Sequence, residues 1–156
     1  MVEKAVVTEL LAQHPIFKTL DADTIEAIAD HSSEIHVKRG VLIFRQQSEA
    51  NQFYLVKSGE VSVEIPAIYG APICMQTLGE AEVLGWSWLF PPYTWHFDAR
   101  ATEDSVLIEF NGAALRERCE QEPKIGYELV KHFAALMMDR LNASRRKVME
   151  TYGPDG

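Results

Sequence analysis

The chain has 156 residues, 47% of them apolar, which suits one domain with a real core. Its net charge of −8 argues against a general binder of phosphate backbones, which needs a basic face to displace counterions, so direct DNA binding is not expected. Two distant cysteines, Cys74 and Cys119, have no CxxC or Cys/His companions and support neither a zinc site nor a cysteine-ligated cluster.

No segment reaches the roughly 18 uninterrupted apolar residues of a membrane span, and the chain does not open on a basic region followed by a long apolar run. The expectation is a cytoplasmic protein with reduced thiols, no membrane partner, no metal and no cofactor.

Residues 3 to 31 have a helical pattern, with Val6, Val7, Leu10 and Leu11 at i, i+3, i+4 spacing and a second run through Ile25 and Ile28. Asp23 and Glu26 suggest a capping box that opens the second helix. From about 35 to 110 the period changes to two. Ile35 to Val37, VLIF at 41–44, FYLV at 53–56, VSVEI at 61–65, ICMQTL at 73–78, HFDARA at 96–101 and SVLIEF at 105–110 read as short strands, with turn signals at RG 39–40, SG 58–59 and YGAP 69–72. Six or seven such strands predict an antiparallel sandwich or roll.

Residues 113 to 150 are helical again, with a break at Pro123. At about 3.6 residues per turn, Ile125, Leu129, Phe133 and Leu136 form one stripe, and Val130, Met137, Leu141 and Val148 another, rotated from it. Either both belong to one broad core-facing stripe, or the second meets a twin chain in a homodimer. The polar end RLNASRRK, with Arg140, Arg145, Arg146 and Lys147, reads as a solvated helix terminus favoured by the helix dipole.

The stretch VLGWSWLFPPYTWHFDARA, 83 to 101, holds all three tryptophans, a Pro-Pro pair and a histidine in what reads as a loop. The five histidines are otherwise scattered, the strands contain no HxH pair followed by a carboxylate, and Glu60, Glu64, Glu80 and Glu82 form no compelling acid/base pair, so nothing nominates a nucleophile. A metalloenzyme on a cupin-like roll is the alternative from a different class.

The run VKRGVLIFRQQSEANQFYLVKSGEVSVEI, 37 to 65, with Gly40 before its strand, Phe44 in an aromatic slot and Gly59 at a hairpin tip, resembles the cyclic-nucleotide-binding domain. The resemblance continues through LGEAEVLG and LFPP to ARATEDSVLIEF. It implies a mainly β fold: a double-stranded β-helix, or jelly roll, with N-terminal helices over 1–33, the roll over 34–111 and C-terminal helices over 112–150, all within a single domain 1–156. The helices and the terminal METYGPDG further resemble the sensor half of bacterial Crp/Fnr-type regulators, without their DNA-binding helix-turn-helix.

In that family the tryptophan-rich stretch corresponds to the phosphate-binding cassette, a short helix and loop in which a Glu holds the ribose and an Arg the phosphate. Here Gly85 fills the glycine slot, Trp86 stands where the Glu belongs, and Trp95 and His96 stand near the Arg-Ser/Thr slots, with Arg100 on the following strand. An aromatic ring replaces neither the charge nor the donor fork of an arginine, so cyclic AMP or cyclic GMP is not expected to bind in the family's ordinary mode. The candidate ligand site comprises Gly85, Trp86, Ser87, Trp88, Trp95, His96 and Arg100. Either these residues line a remodelled pocket for a small molecule, pre-organised by Pro91 and Pro92, or the aromatics fill the emptied pocket and the domain works by protein contact. The resemblance implies a regulatory, non-enzymatic module in signal transduction, homodimeric through its C-terminal helix; because related regulators bind haem, it also makes His96 or Cys74 the candidate axial ligand of a haem sensor.

Overall fold

The FYLV run lies in β3 (Gln52–Ser58), a strand buried on both faces, which is why its apolar residues are continuous and not alternating. Phe53 and Leu55 enter one core while Tyr54 and Val56 enter another. The computed structural model describes residues 3–152; the last four residues of METYGPDG lie outside them.

Among the described residues, eight strands form two antiparallel four-stranded sheets. The first has the order β1 (Ser32–Val37), β8 (Ser105–Asn111), β3 and β6 (Val83–Leu84). The second has the order β2 (Leu42–Phe44), β7 (Asp98–Ala101), β4 (Val61–Ile65) and β5 (Ile73–Leu78). This is the expected roll. β6 lies in a stretch read as loop, because two residues are too few to show a period. His96 and Phe97 fall outside β7, two residues later than HFDARA suggested.

One core lies between the sheets and contains Tyr54, Val56, Val61, Val63, Leu78, Leu84, Ala99 and Leu107. The other lies between the first sheet and the helices α1 (Lys4–Gln13), α2 (Ala22–Asp30), α3 (Gly112–Gln121) and α4 (Pro123–Tyr152). Register fixes its centre: Phe53 pairs with Phe110 across β3 and β8, and their rings stack at 4.9 Å.

The helix starts follow local chemistry, with one correction. α2 is capped by Asp21, whose carboxylate accepts from the Thr24 N–H at 2.8 Å, and not by Asp23, which sits inside the first turn where the dipole favours a carboxylate. The break at Pro123 is real. α3 ends at Gln121, and α4 begins on the proline, whose missing N–H costs nothing at that position.

In α4, Ile125, Leu129 and Phe133 are buried and Leu136 is half-buried against the helix-side core. The second stripe does not enter that core: Val130, Leu141 and Val148 are exposed and Met137 is half-buried. The polar end also needs correcting. Arg145 and Arg146 are exposed, but Arg140 is only 5% exposed because it continues the Ile125–Leu129–Phe133–Leu136 face inward. Among the described residues no helix is long and apolar enough to cross a membrane.

Candidate functional site

At Gly85 the chain turns sharply as it leaves β6, with φ +101°, a conformation that side-chain-bearing residues rarely adopt. A Cβ at this position would lie 2.8 Å from the indole of Trp95, so the turn and the ring are fitted to each other. Successive i to i+3 bonds follow, from Leu89 N–H to Trp86 O at 3.0 Å and from Tyr93 N–H to Phe90 O at 2.9 Å. Among the described residues no regular helix forms between β6 and β7; turns stand where the family's cassette has its short helix.

The loop returns along residues 46 to 50. Gln47 N–H donates to Trp95 O at 2.7 Å, Trp95 N–H to Ser48 O at 3.0 Å and Ala50 N–H to Tyr93 O at 2.8 Å. These bonds fix the Trp95 backbone, and its indole lies flat on Phe44, with ring centres 3.8 Å apart and planes 8° from parallel. Trp86 stands edge-on to Phe97 at 6.0 Å. The Ser87 hydroxyl and His96 Nδ1 are hydrogen-bonded at 3.0 Å, tying the two ends of the loop together. No carboxylate bonds to His96 among the described residues, so the pair lacks the third group that orients a catalytic base.

Five of the seven residues expected at the site, Gly85, Trp86, Ser87, Trp95 and His96, do line one pocket, together with Phe44, Phe97 and Arg140. Its remaining cavity is about 10 Å³, barely the space of one water. Trp95 forms one wall of it, flat against Phe44.

Two expected residues lie elsewhere. Trp88 is fully buried in the helix-side core, 4.9 Å from Phe53 and 5.2 Å from Phe133, and α3 passes so close that a Cβ on Gly112 would lie 2.9 Å from it. On β7 Ala99 packs in the core between the sheets, and Arg100, on the opposite face, bonds Glu64 Oε1 at 3.2 Å and Gly40 O at 2.8 Å. Cys74, the other candidate axial ligand, is exposed on β5 beside the Ser62 hydroxyl and shares no site with His96. Among the described residues, no group of three His, Cys, Asp or Glu side chains is placed to hold a metal.

The residue missed from sequence is Arg140. It reaches from α4 into the pocket, donates from Nη2 to Val83 O at 3.0 Å and places its guanidinium 5.3 Å from the centre of the Trp86 ring. Its Nε is buried without a hydrogen-bond partner, and burial pushes its pKa down to about 10, so it remains a cation at neutral pH. The inner stripe of α4 carried the signal: extended four residues beyond Leu136, it reaches Arg140.

A second arginine holds the far side of the loop, where Arg116 of α3 donates to Trp88 O and lies 4.0 Å from the centre of the Tyr93 ring. The loop between β6 and β7 is thus held by both C-terminal helices.

Residues 34–122, more than half of the chain, match the family model of the cyclic nucleotide-binding domain. Among curated proteins the chain is 35% identical over 65 residues to a cGMP-dependent protein kinase of Drosophila melanogaster, covering 42% of this chain and 7% of the kinase. It is 22% identical over 126 residues to a CRP-like cAMP-activated global transcriptional regulator of Mycobacterium tuberculosis, covering 81% of this chain and 56% of the regulator. The chain therefore spans only part of these relatives. Among solved structures it is similar to a candidate cyclic nucleotide-binding protein from Geobacter metallireducens GS-15, with TM-score 0.75, 28% identity and coverage of 90% of this chain and 99% of that one. The sensor domain of the transcriptional regulator DNR from Pseudomonas aeruginosa has the same fold, with TM-score 0.74, 19% identity and coverage of 89% and 93%.

Proposed function

The chain belongs to the cyclic nucleotide-binding domain family, and from that premise we propose that it is a sensory module whose cassette takes a small ligand other than cyclic AMP or cyclic GMP. One observation carries this reading: the pocket in which the Trp95 indole stacks on Phe44 has only about 10 Å³ of free space, and the resemblance puts aromatic residues in the slots of the two cassette charges. A ligand must displace the indole to enter. Such a movement reaches α4 directly, because Arg140 touches both Trp86 and the Val83 carbonyl at the start of the cassette. Differential binding to two positions of α4 then supplies the signal, and the exposed Leu141 and Val148 stripe passes it to a second copy of the chain.

The near-absence of free space also favours a second reading, in which the aromatics fill the pocket permanently and the domain acts by protein contact alone. Calorimetric titration of cyclic AMP and cyclic GMP into the native chain and into the Trp86→Glu/Trp95→Arg double variant separates the two. The native chain should show no saturable heat, whereas the variant, with an opened slot and the family's two charges, should bind. Hydrogen–deuterium exchange over 137–150 should slow in the variant when nucleotide is bound. If the variant binds with no change in α4, the sensory reading fails and the protein-contact reading stands.

A further inference from the structure

A guanidinium presents Nε–H and one Nη2–H along a single edge, spaced to meet the two oxygens of a carboxylate or two oxygens of a phosphate. In Arg140 that edge is half used. Nη2 donates to Val83 O, Nε has no partner, and no ion pair to Arg140 forms among the described residues. The nearby acids Glu82 and Asp139 act on it only through their charge. A long flexible arginine on an outer helix face would lie in solvent; this one is held inside, over Trp86, and lines the pocket.

The other half of the pocket is a flat slot. Phe44 forms one wall, the Cβ-less turn at Gly85 leaves room at its edge, and the slot now holds an indole in parallel contact at 3.8 Å. A planar ring that replaced that indole would recover the same stacking on Phe44, which offsets the cost of displacing it.

Resting on the sensory reading above, the geometry points to a ligand consisting of a planar aromatic ring with one oxyanion, the ring on Phe44 and the oxyanion on the free edge of Arg140. The charge is read from α4, not from the cassette. An oxyanion on Nε and Nη2 competes with the Val83 carbonyl for the arginine, and the same contact that binds the ligand therefore loosens the tie between α4 and β6.

Three probes of matched ring size test this on the full chain by tryptophan fluorescence and thermal shift: benzoate, phenyl phosphate and neutral benzamide. At least one anion should give a saturable response about tenfold tighter than benzamide, the scale expected of a charge-assisted pair. Whichever anion binds more tightly identifies the source of the oxyanion as carboxylate or phosphate. Arg140→Met should abolish the preference, so that anion and amide behave alike. Arg140→Gln, which keeps a donor to Val83 O but no charge, should do the same, and Arg140→Lys should retain only part of it. Equal affinity for benzoate and benzamide in the native chain would overturn the inference while leaving the sensory reading intact. Unchanged anion preference in both charge-removing variants would also overturn it, as would silence from all three probes. The sensory reading fails separately, on α4 exchange in the nucleotide-binding double variant.

Discussion

The Arg140 guanidinium lies 5.3 Å from the centre of the Trp86 indole, which joins α4 to the loop that leaves β6. The ring faces the cation favourably, but a single indole and one backbone carbonyl do not replace the hydration that a buried guanidinium loses.

Arg140 should therefore reduce stability. Burial lowers its pKa from 12.5 to about 10, which corresponds to a cost of about 3 kcal/mol for keeping it charged at neutral pH. With the folded pKa depressed, stability falls as pH drops through about 10 and is flat near neutrality. Against that, removing the side chain would leave the Val83 carbonyl without its donor, a loss of about 2 kcal/mol. Arg140→Met should raise stability by about 1 kcal/mol, read as a higher urea midpoint with an unchanged slope. A destabilised variant would mean that the contacts outweigh the desolvation.

Gly85→Ala should drive Trp95 out of its slot. The added methyl meets the ring at 2.8 Å on a backbone with φ +101°, two penalties that together cost about 2 to 3 kcal/mol. Tryptophan emission should shift to the red as the indole meets water. An unshifted spectrum with a native melting temperature would show that the turn relaxes without disturbing the ring.

Alkaline pH should act through Tyr54. Burial between the sheets, with the Glu109 charge adding to it, raises the phenol's pKa well above its ordinary value of 10.0. A raised folded pKa gives stability that is whole below pH 10 and is lost as pH climbs towards the folded value, at about 1.4 kcal/mol per pH unit for this one group. Tyr54→Phe should flatten the alkaline limb by that amount relative to the native chain. Parallel limbs would show that the phenol ionises without unfolding.

Leu141 is 60% exposed on a stripe that continues to Val148 and, one residue on, to Met149. Leu141→Glu should convert a dimer to a monomer in analytical ultracentrifugation while changing the stability of each chain by less than about 0.5 kcal/mol, since the side chain leaves no intrachain core. A native chain that sediments as a monomer would remove the twin-chain part of the proposed signal path.

The sequence made the roll legible where strands alternate or where β3 runs apolar throughout, and it placed Gly85, Trp86, Ser87, Trp95 and His96 at one site. It could not separate Trp88 from the other tryptophans, because the direction of an indole depends on the turn at 86 to 89, which has no period of its own. Arg100 lies outside that pocket for a simpler reason: side chains alternate along β7, and counting from the core residue Ala99 puts it on the opposite face. The capping residue of α2 was displaced by two positions because Asp21 and Asp23 are equally good candidates until the Thr24 N–H is seen to choose one. Arg140 was hidden by composition, since a basic helix end suggests solvent even when the helical period turns one of its members inward.

On the proposed sensory reading, Trp95, already seated against Phe44, acts as a competitor carried by the chain itself. Any entering molecule contends with a neighbour that never diffuses away, so its apparent affinity is its intrinsic affinity scaled by the small fraction of time the indole is out. The response threshold can thus be set without altering a single ligand contact: loosening the 46–50 pairing that anchors Trp95 would lower it, and tightening the turn at Gly85 would raise it.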